Sequence, residues 1–338
     1  MACSRHALSR AHRVDRADAG VSSTFLCSQG HCQESIFMHG SDHGTGLWID
    51  RQDAEKTLES LAASHQAKDA LGSLIREGLA VIRKAHDPDL CRQVIADYQR
   101  YVASHRDYVA QNLDALGREK RLVNFHHGSP AAERIGTSPQ VMEILDLLFE
   151  AETAIYTSLT FKYGTQQPAH RDTPHFATWP SNRFAGVWTA LENVRSEAGP
   201  LFYHAGAHRF PIDPQRFMSD AIRQLPTAQI NEQLFRALDL YNGEVIRIAP
   251  TVSDAQSLEL QIGDTVIWHP QLPHGGSPAA NPHSTRWSIV FHCAPVDVQV
   301  YQHEAFFTHV GSEPPAPRYG YRAANGRKVA IAGEIAFM

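Results

Sequence analysis

The sequence predicts a mainly β domain with flanking helices, and its pattern changes partway along the chain. Up to about residue 150, apolar residues recur at helical spacing. From about residue 153, short β-rich runs separated by Gly, Pro and Asn take over, the pattern of a sandwich or barrel. With 338 residues and 43% hydrophobic content, the chain can bury a full core.

The elements follow in order. Residues 1–37 read as a poorly ordered polar leader in which Arg5, Arg10, Arg13 and Arg16 lie among Ser, Ala and His, resembling a weak transit peptide or an extension upstream of a start at Met38. A single catalytic domain is expected over 38–338. Within it, 53–150 form a mostly helical scaffold, with Leu58, Leu61, Leu71, Leu74 and Ile75 at helical positions and a short strand through Leu79–Ile82. Asp87-Pro88 and Ser138-Pro139 each give a cap followed by proline at the first helical position, ahead of the stripes Leu90, Val94, Ile95, Tyr98, Val102 and Val141, Ile144, Leu145, Leu148. Strands are predicted at 153–163, 184–193, 200–204, 244–249, 257–268 and 284–292, with a helical insertion at 214–241 and a C-terminal extension over 301–338.

Composition excludes several classes of function. A net charge of −5, a pI near 6.5 and no dense Lys/Arg run leave no electrostatic footprint for nucleic acid or an anionic membrane. No apolar run approaches a membrane span, and Thr24-Phe25-Leu26-Cys27 is too short for a signal-peptide core, so a cytoplasmic protein, monomeric or homodimeric, is expected. The five cysteines, at 3, 27, 32, 91 and 293, suggest no disulfide framework. Cys27, His31 and Cys32 lack the second ligand pair of a zinc finger.

The chemistry gathers around His170-Arg171-Asp172 and the distant His274. Two imidazoles and one carboxylate form the facial set that suits ferrous iron, leaving positions open for a chelating co-substrate and dioxygen. A second copy, His105-Arg106-Asp107, serves as an internal control. It falls at a helix end, where residues two apart diverge, whereas His170 and Asp172 follow the strand at 153–163, and in extended chain residues two apart share a side. A protein-kinase catalytic loop also contains His-Arg-Asp, but position 177 is Ala where that loop needs Asn, and no Asp-Phe-Gly occurs.

Gly263-Asp264 through Trp268-His269 read as a turn and strand leading to Pro273-His274-Gly275-Gly276, whose glycines let backbone pass close to a bound group. In the strand that follows, Arg286 and Ser288 share one face, and Trp287, Ile289 and Phe291 share the other, which should pack outward under helices. An arginine pointing into a barrel needs an anion, and either a co-substrate carboxylate or an internal Asp or Glu would meet that need. His204 and His208 lie in a Gly/Ala turn and read as structural.

Several segments taken in order resemble the phytanoyl-CoA dioxygenase family of iron(II)- and 2-oxoglutarate-dependent oxygenases over about residues 77–300. They are Gln167-Pro168-Ala169-His170-Arg171-Asp172, Val187-Trp188-Thr189-Ala190-Leu191, Gly199-Pro200-Leu201 through Gly206-Ala207-His208-Arg209, and Gly263-Asp264 through His274-Gly275. Two departures stand out: Ala205 replaces the usual proline, and the twelve-residue spacing from His274 to Arg286 is one longer than usual. The resemblance implies a double-stranded β-helix (jelly-roll, cupin-like) core. It also implies Fe(II) on His170, Asp172 and His274, with 2-oxoglutarate on Arg286, assisted by Ser288, Trp188 and Lys162. O2 would be the oxidant, and the product a hydroxylated small molecule such as an acyl-CoA or natural-product intermediate, with succinate and CO2 released. A carboxylate at Asp172, where related halogenases have Gly or Ala, implies hydroxylation or another oxidation. His175, Phe176, Trp179 and Arg183 follow the metal segment and are candidates for the substrate pocket. A zinc hydrolase and a non-catalytic ligand-binding barrel are the alternatives.

Overall fold

The N-terminal helices begin where the sequence places its caps. The computed structural model describes residues 46–309, 313–315 and 318–338. The predicted leader, with Cys3, Cys27 and Cys32, and the alternative start at Met38 lie outside the described residues. Six helices, α1 (Ala54–Ser60), α2 (His65–Glu77), α3 (Pro88–Ser104), α4 (Arg106–Ala110), α5 (Pro130–Gly136) and α6 (Pro139–Phe149), build the scaffold. Ser64, Asp87 and Ser129 each accept a first-turn amide. Ser138 makes no such bond, so Pro139 alone pre-sets the start of α6. The control tripeptide His105-Arg106-Asp107 is exposed at the junction of α3 and α4.

The strands are β1 (Leu79–Ile82), β2 (Leu122–Val123), β3 (Thr153–Phe161), β4 (Ala177–Thr178), β5 (Ala185–Ala190), β6 (Leu201–His204), β7 (Ala255–Ser257), β8 (Thr265–Trp268), β9 (His274–Gly276), β10 (Ser288–Pro295), β11 (Val300–Tyr301), β12 (Tyr321–Ala324), β13 (Arg327–Ala330) and β14 (Ala336–Phe337). A large sheet runs β1-β8-β5-β10-β3-β13-β12, with β2 also pairing β3 and β14 pairing β2. The sheet β7-β6-β9 and the pair β11-β4 complete a jelly-roll, and one cavity is lined from both the large sheet and β6 and β9.

The period-two pattern of β10 divides core from site. Trp287, Ile289, Phe291 and Cys293 enter the outer core with Leu145, Leu148 and Phe149 of α6, as the sequence predicts. Arg286, Val290 and His292 line the cavity. The register of β10 on β3 shifts between His292 and Cys293, where Tyr156 is the extra residue on β3. This bulge lets the neighbours Tyr156 and Thr157 both line the cavity, which regular alternation forbids.

The structure corrects several predicted boundaries. The strand expected at 244–249 is helical: α7 (Pro214–Gln224) is followed by α8 (Ile230–Val252), so the insertion extends to 252. Val245, Ile248 and Ala249 continue the buried stripe of Leu234, Ala237 and Tyr241, and Arg247 pairs with Glu244 on the exposed face. The β-branched pair Val245-Ile246 imitates a strand locally, but the helical period over the longer window prevails. The predicted strand 257–268 divides into β7 and β8. Gly263 turns the chain between them at φ +86°, and Asp264 accepts hydrogen bonds from the amides of Lys84 and Gln261. A last short helix, α9 (His303–Thr308), packs against α7 and α8. Beyond it β13 pairs in parallel with β3, so the C-terminal segment contributes to the large sheet. Among the described residues no helix is long and apolar enough to cross a membrane.

Candidate metal centre

Backbone pairing brings the distant ligand candidates together. His170 and His274 exchange both amide–carbonyl hydrogen bonds, each at 3.0 Å, forming an isolated antiparallel bridge, so their side chains emerge on the same side. Gly275 permits this approach, because a Cβ there would sit 2.5 Å from the Gln167 carbonyl oxygen. The buried Arg171 fixes the loop by donating to the carbonyls of Ala207 and Phe210 and to Gln271, and Thr173 donates to the Pro270 carbonyl.

The side-chain tautomers suit a cation. Nδ1 of His170 lies 3.0 Å from the Pro168 carbonyl and Nδ1 of His274 lies 3.0 Å from the Leu272 carbonyl. A carbonyl only accepts, so each Nδ1 carries the proton and each Nε2 presents a lone pair. Those Nε2 atoms lie 3.6 and 3.7 Å from the Asp172 carboxylate, and the three ligand atoms fall within 4.8 Å of one another. Trp268 Nε1 donates to Asp172 Oδ2 at 2.9 Å and orients the carboxylate. Gly186 makes room for that indole, since a Cβ at 186 would fall 2.2 Å from its ring.

Burial sets the protonation states. Removal from water pushes the His274 pKa down to about 4, against the pull of Asp172, so its imidazole is neutral at pH 7. Burial alone would raise the Asp172 carboxyl, but its contacts with His274, His170 and His292 outweigh that and hold it well below the usual range. A neutral His274 beside an ionised Asp172 takes up a metal without first shedding a proton from either group.

Arg286 lies in the same cavity, of about 350 Å³, 2% exposed. Among the described residues no carboxylate comes within ion-pairing distance of it. Nη1 donates to the Gly199 carbonyl at 2.7 Å, Nε has no partner, and the guanidinium carbon sits 5.8 Å from the Trp188 ring centre. Burial pushes its pKa down to about 10, which still leaves it charged. The Ser288 hydroxyl is likewise buried and unpartnered. The internal-ion-pair reading of Arg286 therefore has no partner within reach among the described residues.

Other candidates divide. Trp188, His175 and Phe176 line the cavity. Lys162 does not: Phe161 takes the inward position at the end of β3, so Lys162 faces the other way and pairs with Glu119 at 2.9 Å. Arg183 also points elsewhere and donates to the Phe149 carbonyl at 2.6 Å. Trp179 lines a separate recess beside α7 and α9. His204 and His208 remain outside the triad, as expected; His204 contacts the Ser253 carbonyl and His208 packs against His269. Sequence reasoning missed His292, whose ring stacks on Phe176 with centroids 3.8 Å apart and whose Nε2 is 3.7 Å from Asp172. Continuing the alternation from Arg286 and Ser288 by two more steps would have found it.

The model of the phytanoyl-CoA dioxygenase (PhyH) family matches residues 74–287. The chain belongs to that family. The bovine peroxisomal phytanoyl-CoA dioxygenase is 28% identical over 115 residues, 34% of this chain and 29% of that protein. The zebrafish phytanoyl-CoA dioxygenase domain-containing protein 1 is 26% identical over 184 residues, 48% of this chain and 61% of that one. The matched segments thus span less than two thirds of these relatives. Among solved structures, EctD from S. alaskensis with bound Fe shares 16% identity at a TM-score of 0.54, covering 75% of this chain and 85% of its own. The epimerase SnoN, in complex with Fe3+, alpha ketoglutarate and nogalamycin RO, shares 16% at 0.53, covering 82% and 99%. At this identity the structural likeness speaks for the fold alone.

Proposed function

We propose that this family member is an iron(II)- and 2-oxoglutarate-dependent dioxygenase that hydroxylates a small organic substrate. The observation that carries the reading is a buried arginine with no carboxylate partner among the described residues, placed in one cavity with a His/Asp/His set whose tautomers are fixed for metal binding. His170, Asp172 and His274 would hold the iron, and Arg286 with Ser288 would take the far carboxylate of 2-oxoglutarate beside Trp188. EctD and SnoN, of the same fold, have been captured with iron and 2-oxoglutarate (alpha ketoglutarate). When bound, iron supplies oxygen activation coupled to decarboxylation of the keto acid to succinate and CO2.

The chain's own contribution is position and dryness. Trp268 and the two carbonyl-tied imidazoles fix the ligand atoms, Arg286 fixes the orientation of the co-substrate, and the aromatic lining excludes water. The zinc-hydrolase reading gives Arg286 nothing to bind, and the silent-barrel reading leaves the prepared triad without a purpose. The test is succinate release from 2-oxoglutarate under air, which oxygenases of this type perform slowly without their primary substrate. Release that requires iron, stops under nitrogen and stops with a chelator is expected; oxygen-independent hydrolysis with no succinate would contradict the reading.

A further inference from the structure

The floor of the cavity is one row of side chains running across the large sheet. In register, Trp188 of β5 lies opposite Val290 of β10, Val290 opposite Leu159 of β3, Leu159 opposite Val123 of β2, and Val123 opposite Ala336 of β14. The first four line the cavity, and so does Met338, which lies two residues beyond Ala336 and faces the same way. At the ordinary spacing of strands the row extends roughly 19 Å along the sheet from β5 to β14. Trp188 and Arg286 mark one end of it, and a short keto acid held there leaves the β2–β14 end uncovered.

That end is bordered by a segment outside the family-matched residues 74–287. Ala332 and Met338 line it, and with Val123 and Leu159 they present an apolar surface beside the Arg121 guanidinium. Met338 is 61% exposed while lining the cavity, which puts it at the opening. The segment is held in place by contacts of its own. The Asn124 Oδ1 accepts the Thr157 hydroxyl at 2.6 Å and Nδ2 donates to the Glu334 carbonyl at 3.4 Å, so Asn124 ties the segment to the bulged stretch of β3. Ile335 packs against the outer core and Phe337 enters it, with the Phe337 amide donating to the Tyr108 hydroxyl at 3.2 Å. With Phe337 committed to the core, alternation sends Met338 to the cavity side.

We infer that residues 332–338 help determine which primary substrate fits, by giving its non-reacting apolar group a rim to rest against at Ala332 and Met338. The keto acid holds the Trp188 end, the reacting carbon lies at the triad, and an alkyl chain or ring reaches along Leu159 and Val123 to the rim. This rests on the co-substrate reading above, which assigns Arg286 and Trp188 to the keto acid. It favours substrates with an apolar part of several carbons, because each buried methylene strengthens binding by about fourfold.

The test uses the full chain with carbon-13 in its methionine methyl groups, loaded with Fe(II) under nitrogen and saturated with N-oxalylglycine, an unreactive analogue of the keto acid. Met142 and Met218 are buried in cores outside the cavity and serve as internal references, and the Met338 signal is the one missing from Met338→Ala. Titration with octanol is expected to move the Met338 methyl resonance saturably and to leave those of Met142 and Met218 in place. By calorimetry, octanol affinity should fall at least fivefold in Met338→Gln, which keeps the length of the side chain and removes its apolar end, with N-oxalylglycine affinity held within twofold. No binding of octanol, saturable binding that leaves the Met338 methyl unmoved, or unchanged octanol affinity in Met338→Gln would overturn the inference. An equal loss of octanol and N-oxalylglycine affinity in Met338→Gln would also overturn it, giving Met338 a general structural role. If wild-type protein fails to bind N-oxalylglycine at all, the co-substrate reading fails, and that failure is seen before any alcohol is added.

Discussion

His274→Ala is expected to abolish succinate formation and to weaken Fe(II) binding by about two orders of magnitude or more. Outer partners of a metal ligand alone typically contribute 10- to 100-fold, and this substitution removes one of three ligands outright. The remaining pair, His170 and Asp172, come from one loop and retain their geometry, because Arg171 and Thr173 anchor that loop independently. The His274 imidazole is neutral at pH 7, so its loss removes no ion pair from the apo protein at that pH. Below pH 6.5 the wild type should lose stability progressively down to about pH 4, because a histidine whose folded pKa is depressed favours the folded state only while uncharged. The check is succinate yield alongside iron content after gel filtration. Unchanged turnover with full iron occupancy would remove His274 from the ligand set.

The second large effect is predicted at Arg286. Arg286→Met should raise the dissociation constant of 2-oxoglutarate by about 30- to 4000-fold, since truncating one partner of a buried, hydrogen-bonded charge pair costs about 2 to 5 kcal/mol. Its effect on the apo protein should have the opposite sign. A guanidinium whose pKa is lowered to about 10 by burial opposes folding at every pH below that, and the penalty fades only as pH rises from about 10 towards the unfolded value of 12.5. Methionine of similar volume removes the penalty, so thermal stability without ligand should be equal to or above that of the wild type. A structural arginine predicts the reverse, with lower stability and unchanged co-substrate affinity. Denaturant titration and 2-oxoglutarate binding on the same preparations distinguish the two.

The parts of this protein that were legible in its sequence are those governed by short-range rules. Proline-led starts at Pro88 and Pro139 mark α3 and α6, and the alternation from Arg286 to Phe291 separates the cavity face from the core face of β10. The convergence of His170 and Asp172 in a candidate metal site was legible because residues two apart in extended chain share a side, which distinguished them from the exposed copy at His105 and Asp107. Other features depended on pairings that no local pattern encodes. The bridge between His170 and His274, the bulge that turns Tyr156 inward and the parallel docking of β13 on β3 are all long-range. Lys162 was misplaced by carrying a contact over from the family resemblance without applying the alternation that puts Phe161 inward. Val245-Ile246 was misread because two β-branched residues outweighed a helical stripe that needed a wider window.

Anaerobic titration of the purified protein with Fe(II) and then 2-oxoglutarate tests the central claim most directly, because a keto acid chelated to ferrous iron absorbs in the visible and neither component does so alone. A visible charge-transfer band that saturates at one equivalent of each, is absent in His274→Ala and needs far more 2-oxoglutarate in Arg286→Met is the predicted result. A colourless wild-type protein carrying stoichiometric iron and excess 2-oxoglutarate would contradict the account.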